Sequence, residues 1–447
     1  MCRLIGRSLP WLLLAACAAP PPPAGSIARS DHFNGERFFN PDGEQGTGGH
    51  QTQSAMRLLE DLVRPPHHSW PSHVPVTRSR PPAKVEGAAM LVTWIGHSTV
   101  LIQTQGMNIL TDPVWAERAS PVSFLGVRRV REPGVRLRDL PRIDLILLSH
   151  DHYDHLDTGT LGALWRRDHP LIVTGLGNEL LLRRYHIKAV ARDWGQSVAV
   201  RPGIDVILDR AHHWSEHGIG DHDRTLWTGF TVTLPGGNLY FAGDTGPGDM
   251  RWAPEAARAG PVRFAILPIG AYHFEGRISG NHIGPDQAVT AFGQMHAAYA
   301  LGVHWGTFEL TAEAIDDPPR GLAAALVRAE IAPDRFRVLE AGQTWSIPPA
   351  EILAVRENLA PSRAAIARTW LCKPAPKEYG APDSLSCEAP HDHPVRLGLV
   401  AEVEAGMPCF RRWRSSGLAF VYQDLIGWGS AGGVTSLRLG RWGTIWC

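Results

Sequence analysis

From Met90 onward the apolar residues fall into short runs separated by turn-forming residues. Met90–Ile95, Thr99–Thr104 and Asn108–Thr111 are predicted strands, with Gln105-Gly106 as a hairpin turn between the last two. Ile143-Asp144-Leu145-Ile146-Leu147-Leu148 is a near-continuous apolar run of the kind a buried strand shows. Further strands are predicted over Leu171–Thr174, Asp205–Leu208, Gly229–Leu234, Leu239–Ala242, Phe264–Pro268, Leu301–His304 and Phe336–Glu340, the last of these closing the core. Pro235-Gly236-Gly237-Asn238 joins one pair. Helices are predicted over Leu156–Trp165, Asn178–Tyr185, Pro285–His296 and Arg320–Ala329, the third with proline in its first turn. Strands and helices alternate in two successive halves, each strand-rich and then helical, which predicts a layered α/β fold. No solenoid repeat is visible.

The flanks differ from this body. Residues 1–25 carry Arg3 and Arg7, then the apolar run Trp11–Ala16, too short to span a bilayer but suited to a secretory signal. Leu14-Ala15-Ala16-Cys17 resembles the lipobox of bacterial lipoproteins, and Pro20–Pro23 would follow it as a stiff tether. That resemblance implies a lipidated Cys17, hence a protein exported to the cell envelope and anchored to a membrane on the periplasmic side. Residues 26–84 are polar and rich in proline and histidine, with one helical stretch at Ala55–Leu62, and read as an N-terminal cap. Residues 85–349 form the α/β body. Residues 350–447 have scattered Trp, Arg and Gly without periodicity and form an extension with no assigned function.

Composition narrows the chemistry. Lys+Arg and Asp+Glu are both 44 in the 447 residues, so the formal net charge is zero and nucleic acid is disfavoured as a partner. Cys2 and Cys17 lie in the signal, and Cys372, Cys387, Cys409 and Cys447 lie in the extension, where two disulfides could form in three connectivities. None lies between Ala18 and Leu371, so the body has neither disulfides nor thiolate ligands. The 21 histidines point instead to imidazole-based metal chemistry.

The predicted strand Ile143–Leu148 runs into Ser149-His150-Asp151-His152-Tyr153-Asp154-His155. In extended chain, residues i and i+2 point the same way, so His150 and His152 can grip one metal. Asp154 and His155 follow after a turn and can hold a second. Imidazole and carboxylate suit zinc, and also Mn2+ or Fe2+. The motif sits at the carboxyl end of a buried strand, where α/β sites form. Downstream, three predicted strands end in candidate ligands: Ala211-His212-His213-Trp214, Gly243-Asp244-Thr245 and Val303-His304-Trp305. His212 and His213 are both within reach of a metal on this reading.

Thr93-Trp94-Ile95-Gly96-His97-Ser98-Thr99, Leu110-Thr111-Asp112-Pro113-Val114-Trp115, Arg118-Ala119-Ser120-Pro121, Ser149–Asp157, Phe241–Gly246, Pro268–Tyr272 and His304-Trp305-Gly306-Thr307-Phe308 together resemble the metallo-β-lactamase superfamily, and within it the N-acyl-phosphatidylethanolamine-hydrolysing phospholipase D branch. The resemblance covers roughly residues 31–349. It implies an αβ/βα four-layer sandwich with two zinc ions at the edge of the sheets. Carried over residue by residue, it puts His150, His152 and His213 on one ion, Asp154, His155 and His304 on the other, and Asp244 between them. His213 is preferred over His212 because the family keeps a histidine followed by tryptophan there. Asp154 and Asp244 thereby enter the catalytic set. His282 joins them, matching a family histidine that either contacts phosphate or protonates the leaving oxygen, with a role at the start of a helix as the alternative. The implied reaction is attack of metal-activated hydroxide on phosphorus, giving phosphatidic acid and an N-acylethanolamine from a phospholipid substrate.

Weaker expectations attach to neighbouring residues. Asp112 either orients a ligand histidine or caps a turn. His97 reads as a structural hydrogen bonder, and Tyr153 as pocket lining. The stretch His273-Phe274-Glu275-Gly276-Arg277-Ile278-Ser279 departs from the familiar family pattern and leaves head-group and acyl preference open. The resemblance also implies a homodimer. Two rival readings share the metals or the anchor: a lactonase or other phosphodiesterase or esterase of the same fold, and a membrane-anchored lipoprotein with a vestigial metal site.

Overall fold

The computed structural model describes residues 27–43, 70–218, 220–274 and 277–349, together with the backbone of three short strands in the extension. The chain divides into two units, Met1–Leu353 and Ala354–Cys447. The expected signal with Cys17, the helix expected over Ala55–Leu62, and Cys409 and Cys447 lie outside the described residues.

In the first unit the early strands are β1 (Met90–Gly96), β2 (Thr99–Thr104), β3 (Met107–Thr111), the short β4 (Arg118–Ala119) and β5 (Val127–Arg128), and β6 (Leu145–Leu148). Helix α1 (Thr158–Asp168), β7 (Leu171–Gly175), α2 (Asn178–Arg183) and β8 (Val190–Arg192) follow. The second half supplies β9 (Ser197–Arg201), β10 (Ile204–Asp209), β11 (Gly229–Val232), β12 (Asn238–Phe241), α3 (Trp252–Ala256) and β13 (Val262–Pro268). It ends with β14 (His273–Phe274), β15 (Arg277–Ile278), α4 (Pro285–Gln294), β16 (Tyr299–Val303), α5 (Asp317–Arg328), β17 (Phe336–Arg337) and β18 (Thr344–Ser346).

Two seven-stranded sheets result, ordered β18-β1-β2-β3-β6-β7-β8 and β17-β16-β13-β12-β11-β10-β9. Each chain half builds one sheet, except that β18 crosses back to pair with β1, Leu91 lying opposite Ser346. In both sheets one end is antiparallel and the other parallel: β3, β6, β7 and β8 run parallel, as do β12, β13, β16 and β17. Helices cover the outer faces, so the fold is the α/β sandwich expected.

The core explains the apolar run that precedes the motif. Leu145 and Leu147 pack inward with Val92, Ile109, Val206, Phe230 and Phe264. Ile146 and Leu148 face the other way, onto Leu161 and Leu164 of α1 and Leu181 of α2. A parallel strand covered on both sides needs apolar residues at every position, which removes the alternation seen in half-exposed strands.

Several boundaries differ from expectation for local reasons. Helix α1 starts at Thr158 because the Asp157 side chain caps it, accepting from the amides of Gly159 and Thr160. Helix α5 begins at Asp317, earlier than expected, because its prolines fall in the first turn, where no intrahelical N–H is needed. The strand expected over Phe336–Glu340 shortens to β17 and is not the last of the core. Thr344-Trp345-Ser346 follows it, too short and polar to show a strand pattern, and is fixed by pairing with β1 and by Trp345 packing edge-on to Phe264 and Tyr299. In the second unit β19 (Leu371–Pro374), β20 (Ser384–Glu388) and β21 (Leu399–Glu402) form an antiparallel sheet in which Cys372 lies opposite Cys387.

Candidate metal centre

Strands β6, β10, β12 and β16 deliver their carboxyl ends to one edge of the two sheets. Beyond β6 the amides of His155 and Leu156 both donate to the His152 carbonyl, at 3.0 and 2.8 Å, which winds the motif into a turn and separates its two halves. His150 Nε2 and His152 Nδ1 come within 2.8 Å, and His213 Nε2 lies 3.3 Å from the same His152 nitrogen. These three imidazoles form one donor set. The other gathers Asp154, His155 and His304 with His97 beside them. Asp154 Oδ2 lies 3.4 Å from both His155 Nε2 and His304 Nε2.

Asp244 stands between the sets. Its Oδ2 is 2.9 Å from His304 Nε2, 3.1 Å from His155 Nε2 and 3.9 Å from His213 Nε2. The seven residues expected as ligands are therefore brought to one place. Whether they bind metal is a question of the donors they leave open. Asp244 Oδ1 and His152 Nε2 are buried without a hydrogen-bond partner among the described residues, and His155 Nε2 and His304 Nε2 meet only the Asp154 and Asp244 carboxylates. Buried polar atoms are rarely left so. A nitrogen- and oxygen-rich donor set with open lone pairs fits a divalent cation such as zinc, manganese or iron.

A second ring of contacts sets which nitrogen three of the histidines present. Asp112 Oδ2 is 2.6 Å from His155 Nδ1, which leaves His155 Nε2 to face the site. Ser149 Oγ donates to the same carboxylate at 2.6 Å and accepts from His150 Nδ1 at 2.9 Å. His213 Nδ1 donates to the Asn281 carbonyl at 2.8 Å. Asp112 thus orients the His155 ring, and its Oδ1 also accepts from the Ser149 amide at 2.8 Å. His304 sits in left-handed backbone, φ 63°, at the end of β16. Gly270 makes that bend possible, since a Cβ there would lie 2.1 Å from the His304 carbonyl oxygen.

Burial and neighbouring charges split the site electrostatically. Burial, reinforced by the neighbouring histidines, holds His150 and His213 well below the usual imidazole range, and burial pushes His152 down to about 3. They are neutral and ready to ligate. Burial also opposes charge on His304, but the Asp244 and Asp154 carboxylates outweigh it and lift it to about 9. His155 is raised in the same way by Asp244, Asp154 and Asp112.

Four further residues flank the donors. His282 Nδ1 lies 3.7 Å from Asp244 Oδ2, with its ring 5.0 Å from His213 and 5.2 Å from His304, and 17% of its side chain is exposed. Burial lowers it to about 4. His97 Nε2 bonds Asp154 Oδ2 at 2.9 Å, a hydrogen-bonding role. His212 is buried and bonds Asp42 through Nδ1 at 2.9 Å, away from the donor set. Tyr153 packs on His217 and donates to its carbonyl oxygen.

The divergent stretch after Tyr272 forms the β14–β15 hairpin. Its base is held by Glu313, whose carboxylate accepts from the amides of Ala271 and His273 and from Thr311 Oγ1. Beside His304 lies a shallow recess lined by Trp70, Trp305, Phe308, Leu310, Glu313 and Pro318. Reading the sequence missed Asn40, Ser149 and the Asn281 carbonyl. Asn40 and the Asn281 carbonyl act across 173 and 68 positions, and Ser149, next to His150, is itself set by Asp112, 37 positions away.

A family profile described as the β-lactamase superfamily domain matches residues 107–305. An N-acyl-phosphatidylethanolamine-hydrolyzing phospholipase D of Caenorhabditis elegans is 32% identical over 332 residues, which is 70% of this chain and 93% of the worm protein. A mitochondrial protein of that name in Saccharomyces cerevisiae is 30% identical over 52% of this chain and 50% of its own length. An uncharacterized protein of Mycobacterium tuberculosis is 35% identical over 54% of this chain and 65% of its own. The chain is thus a metal-dependent hydrolase that belongs to the N-acyl-phosphatidylethanolamine-hydrolysing phospholipase D-like branch of the metallo-β-lactamase superfamily.

Proposed function

We propose that this chain is a dinuclear, zinc-dependent phosphodiesterase of the phospholipase D type, cleaving N-acyl-phosphatidylethanolamine-like lipids to phosphatidic acid and N-acylethanolamine. The observation that carries the dinuclear reading is the place of Asp244, one carboxylate oxygen within 3.9 Å of nitrogens from both donor sets. The identity to the worm phospholipase D supports the substrate class. His150, His152 and His213 would hold one ion and Asp154, His155 and His304 the other. Bound there, two divalent cations would make hydroxide available near neutral pH and offset charge on phosphoryl oxygens.

The chain's own groups do the rest. Asp112, Ser149 and the Asn281 carbonyl hold three ligand rings in orientation. His282, kept neutral by burial, offers one N–H beside Asp244 to a phosphoryl oxygen. The oxygen of water bonds to phosphorus, the bond from phosphorus to the ethanolamide oxygen breaks, and a proton from the water ends on that oxygen, which leaves as the N-acylethanolamine hydroxyl. A lipid anchor on Cys17 would keep the site at a bilayer on the periplasmic side of the cell envelope, and a Cys17→Ala protein should then leave the membrane fraction. A homodimer is the assembly the reading favours, to be checked by light scattering.

The test pairs metal content with turnover. Purified protein should hold about two ions per chain and release N-acylethanolamine from N-acyl-phosphatidylethanolamine. Asp154→Asn and His304→Asn should remain folded and lose most activity. Two ions with lactone or other ester turnover, and none on the lipid, would move the substrate elsewhere on the same fold. A folded protein that takes up no metal would end the enzyme reading.

A further inference from the structure

The N-terminal segment 27–43 reaches the metal centre with one side chain. Phe33 and Phe38 anchor it in a small cluster with Ala211, Leu226 and Trp227. His32 bonds Asp31 and Asp193, each at 2.7 Å. Two residues beyond Phe38, the side chain of Asn40 is buried against His213. Its Nδ2 donates to the His213 carbonyl at 2.8 Å, and its Oδ1 accepts from the His213 amide at 3.2 Å. One planar amide therefore satisfies both main-chain polar groups of that residue. Asp42 grips the residue before it, Oδ1 to His212 Nδ1 at 2.9 Å, while Oδ2 accepts from the Asp249 amide at 2.8 Å. Gly248 leaves room for this grip, since a Cβ there would lie 2.2 Å from Asp42 Oδ2.

His213 needs such outside support more than its partners do. His150 and His152 follow β6 at once, in a turn closed by its own backbone bonds. His213 lies four residues past the end of β10, in a stretch that is neither helix nor strand. Its main chain makes its bonds to Asn40, and its ring is set by the Asn281 carbonyl.

We infer that Asn40 is a positioning residue for the ion held by His150, His152 and His213: it fixes the backbone of His213, as Asn281 fixes the ring. The inference rests on the dinuclear reading above. Groups that orient metal ligands typically change affinity by roughly 10–100-fold when removed. Loss of Asn40 should therefore weaken one ion by about that factor and leave the ion of Asp154, His155 and His304 in place.

The test uses the full chain loaded with zinc. Wild type, Asn40→Ala and Asn40→Asp are dialysed against graded chelator, metals per chain are counted, and thermal midpoints of the metal-free proteins are recorded. Asn40→Asp keeps the side-chain shape and the acceptor for the His213 amide but sets an oxygen against its carbonyl. Asn34→Ala is the control, because Asn34 caps a turn in the same segment through the amides of Glu36 and Arg37 and does not reach His213. Both Asn40 variants should give up one ion at about tenfold lower chelator than wild type, with Asn34→Ala like wild type. In a His213→Ala background Asn40→Ala should add nothing.

Wild-type retention of both ions in the Asn40 variants overturns the inference, whether or not the metal-free midpoint falls. Parallel loss of both ions overturns it too, as does further loss on top of His213→Ala. A wild type that takes up no metal overturns the dinuclear reading and this inference with it, an outcome distinct from the others.

Discussion

Asp112 and His155, 43 positions apart, are joined by a 2.6 Å contact between Oδ2 and Nδ1, and both side chains are fully buried. The same carboxylate oxygen also receives the Ser149 hydroxyl, and Ser149 in turn holds His150. One carboxylate thus steers a ligand in each donor set. Asp112→Ala should lower the affinity for both ions, each by about 10–100-fold, whereas Ser149→Ala should affect only the ion held with His150. Chelator competition with metal counting checks this. Equal losses in the two variants would contradict the branching.

His282 lies 3.7 Å from the Asp244 carboxylate on the exposed side of the site, grouped with His213 and Asp244. His282→Gln should keep about two metals and lose about 100-fold in kcat, the usual cost of removing one donor to a developing oxyanion, with KM little changed. Turnover measured on metal-verified protein decides it. A variant with wild-type kcat would remove His282 from the chemistry.

Gly270 is packed against the main chain of His304, with no space for a methyl group. Gly270→Ala should cost about 1–3 kcal/mol and release the ion of the second set, because the neighbour that must move is a ligand's own backbone. Gly293, inside α4, is the contrast, since a Cβ there would meet nothing within 4 Å. There alanine should stabilise by about 0.4–1 kcal/mol, by stiffening the unfolded chain and favouring helix. Thermal melts of the pair check both signs.

The anchoring of segment 27–43 should depend on pH through His32. Burial opposes its charge, but the bonds to Asp193 and Asp31 prevail and raise it above the ordinary histidine value. A raised folded value means the contribution is fully present below about pH 6.5 and is lost as pH rises through the folded value. Protease cleavage in the segment should therefore accelerate as pH rises past about 6.5. His32→Gln should flatten that dependence, and a profile unchanged by the substitution would assign it to another group.

The α/β pattern and the motif after Leu148 were legible because both are local. Leu145–Leu148 is apolar at every position because both of its faces are covered, and each candidate ligand follows a strand end. Strands β8, β9 and β18 were not legible: β9 buries only Val198 fully, and β18 is three residues held by its neighbour. The segment 27–43 looked like a polar cap, and nothing in Phe39-Asn40-Pro41-Asp42 announces a contact with a residue 173 positions away.

The order of residues by itself marked the candidate donors: His150, His152, Asp154, His155, Asp244, His304 and the pair His212-His213 stand at or just past strand ends, which periodicity and spacing reveal, and the family resemblance chose His213 from that pair. Only the tertiary structure decided how those donors are arranged and held. It placed Asp244 between the two sets, turned the rings of His155, His150 and His213 by bonds from Asp112, Ser149 and Asn281, and brought Asn40 to the main chain of His213. These choices depend on hydrogen-bond direction and on contacts across tens to hundreds of residues, and a linear pattern carries neither.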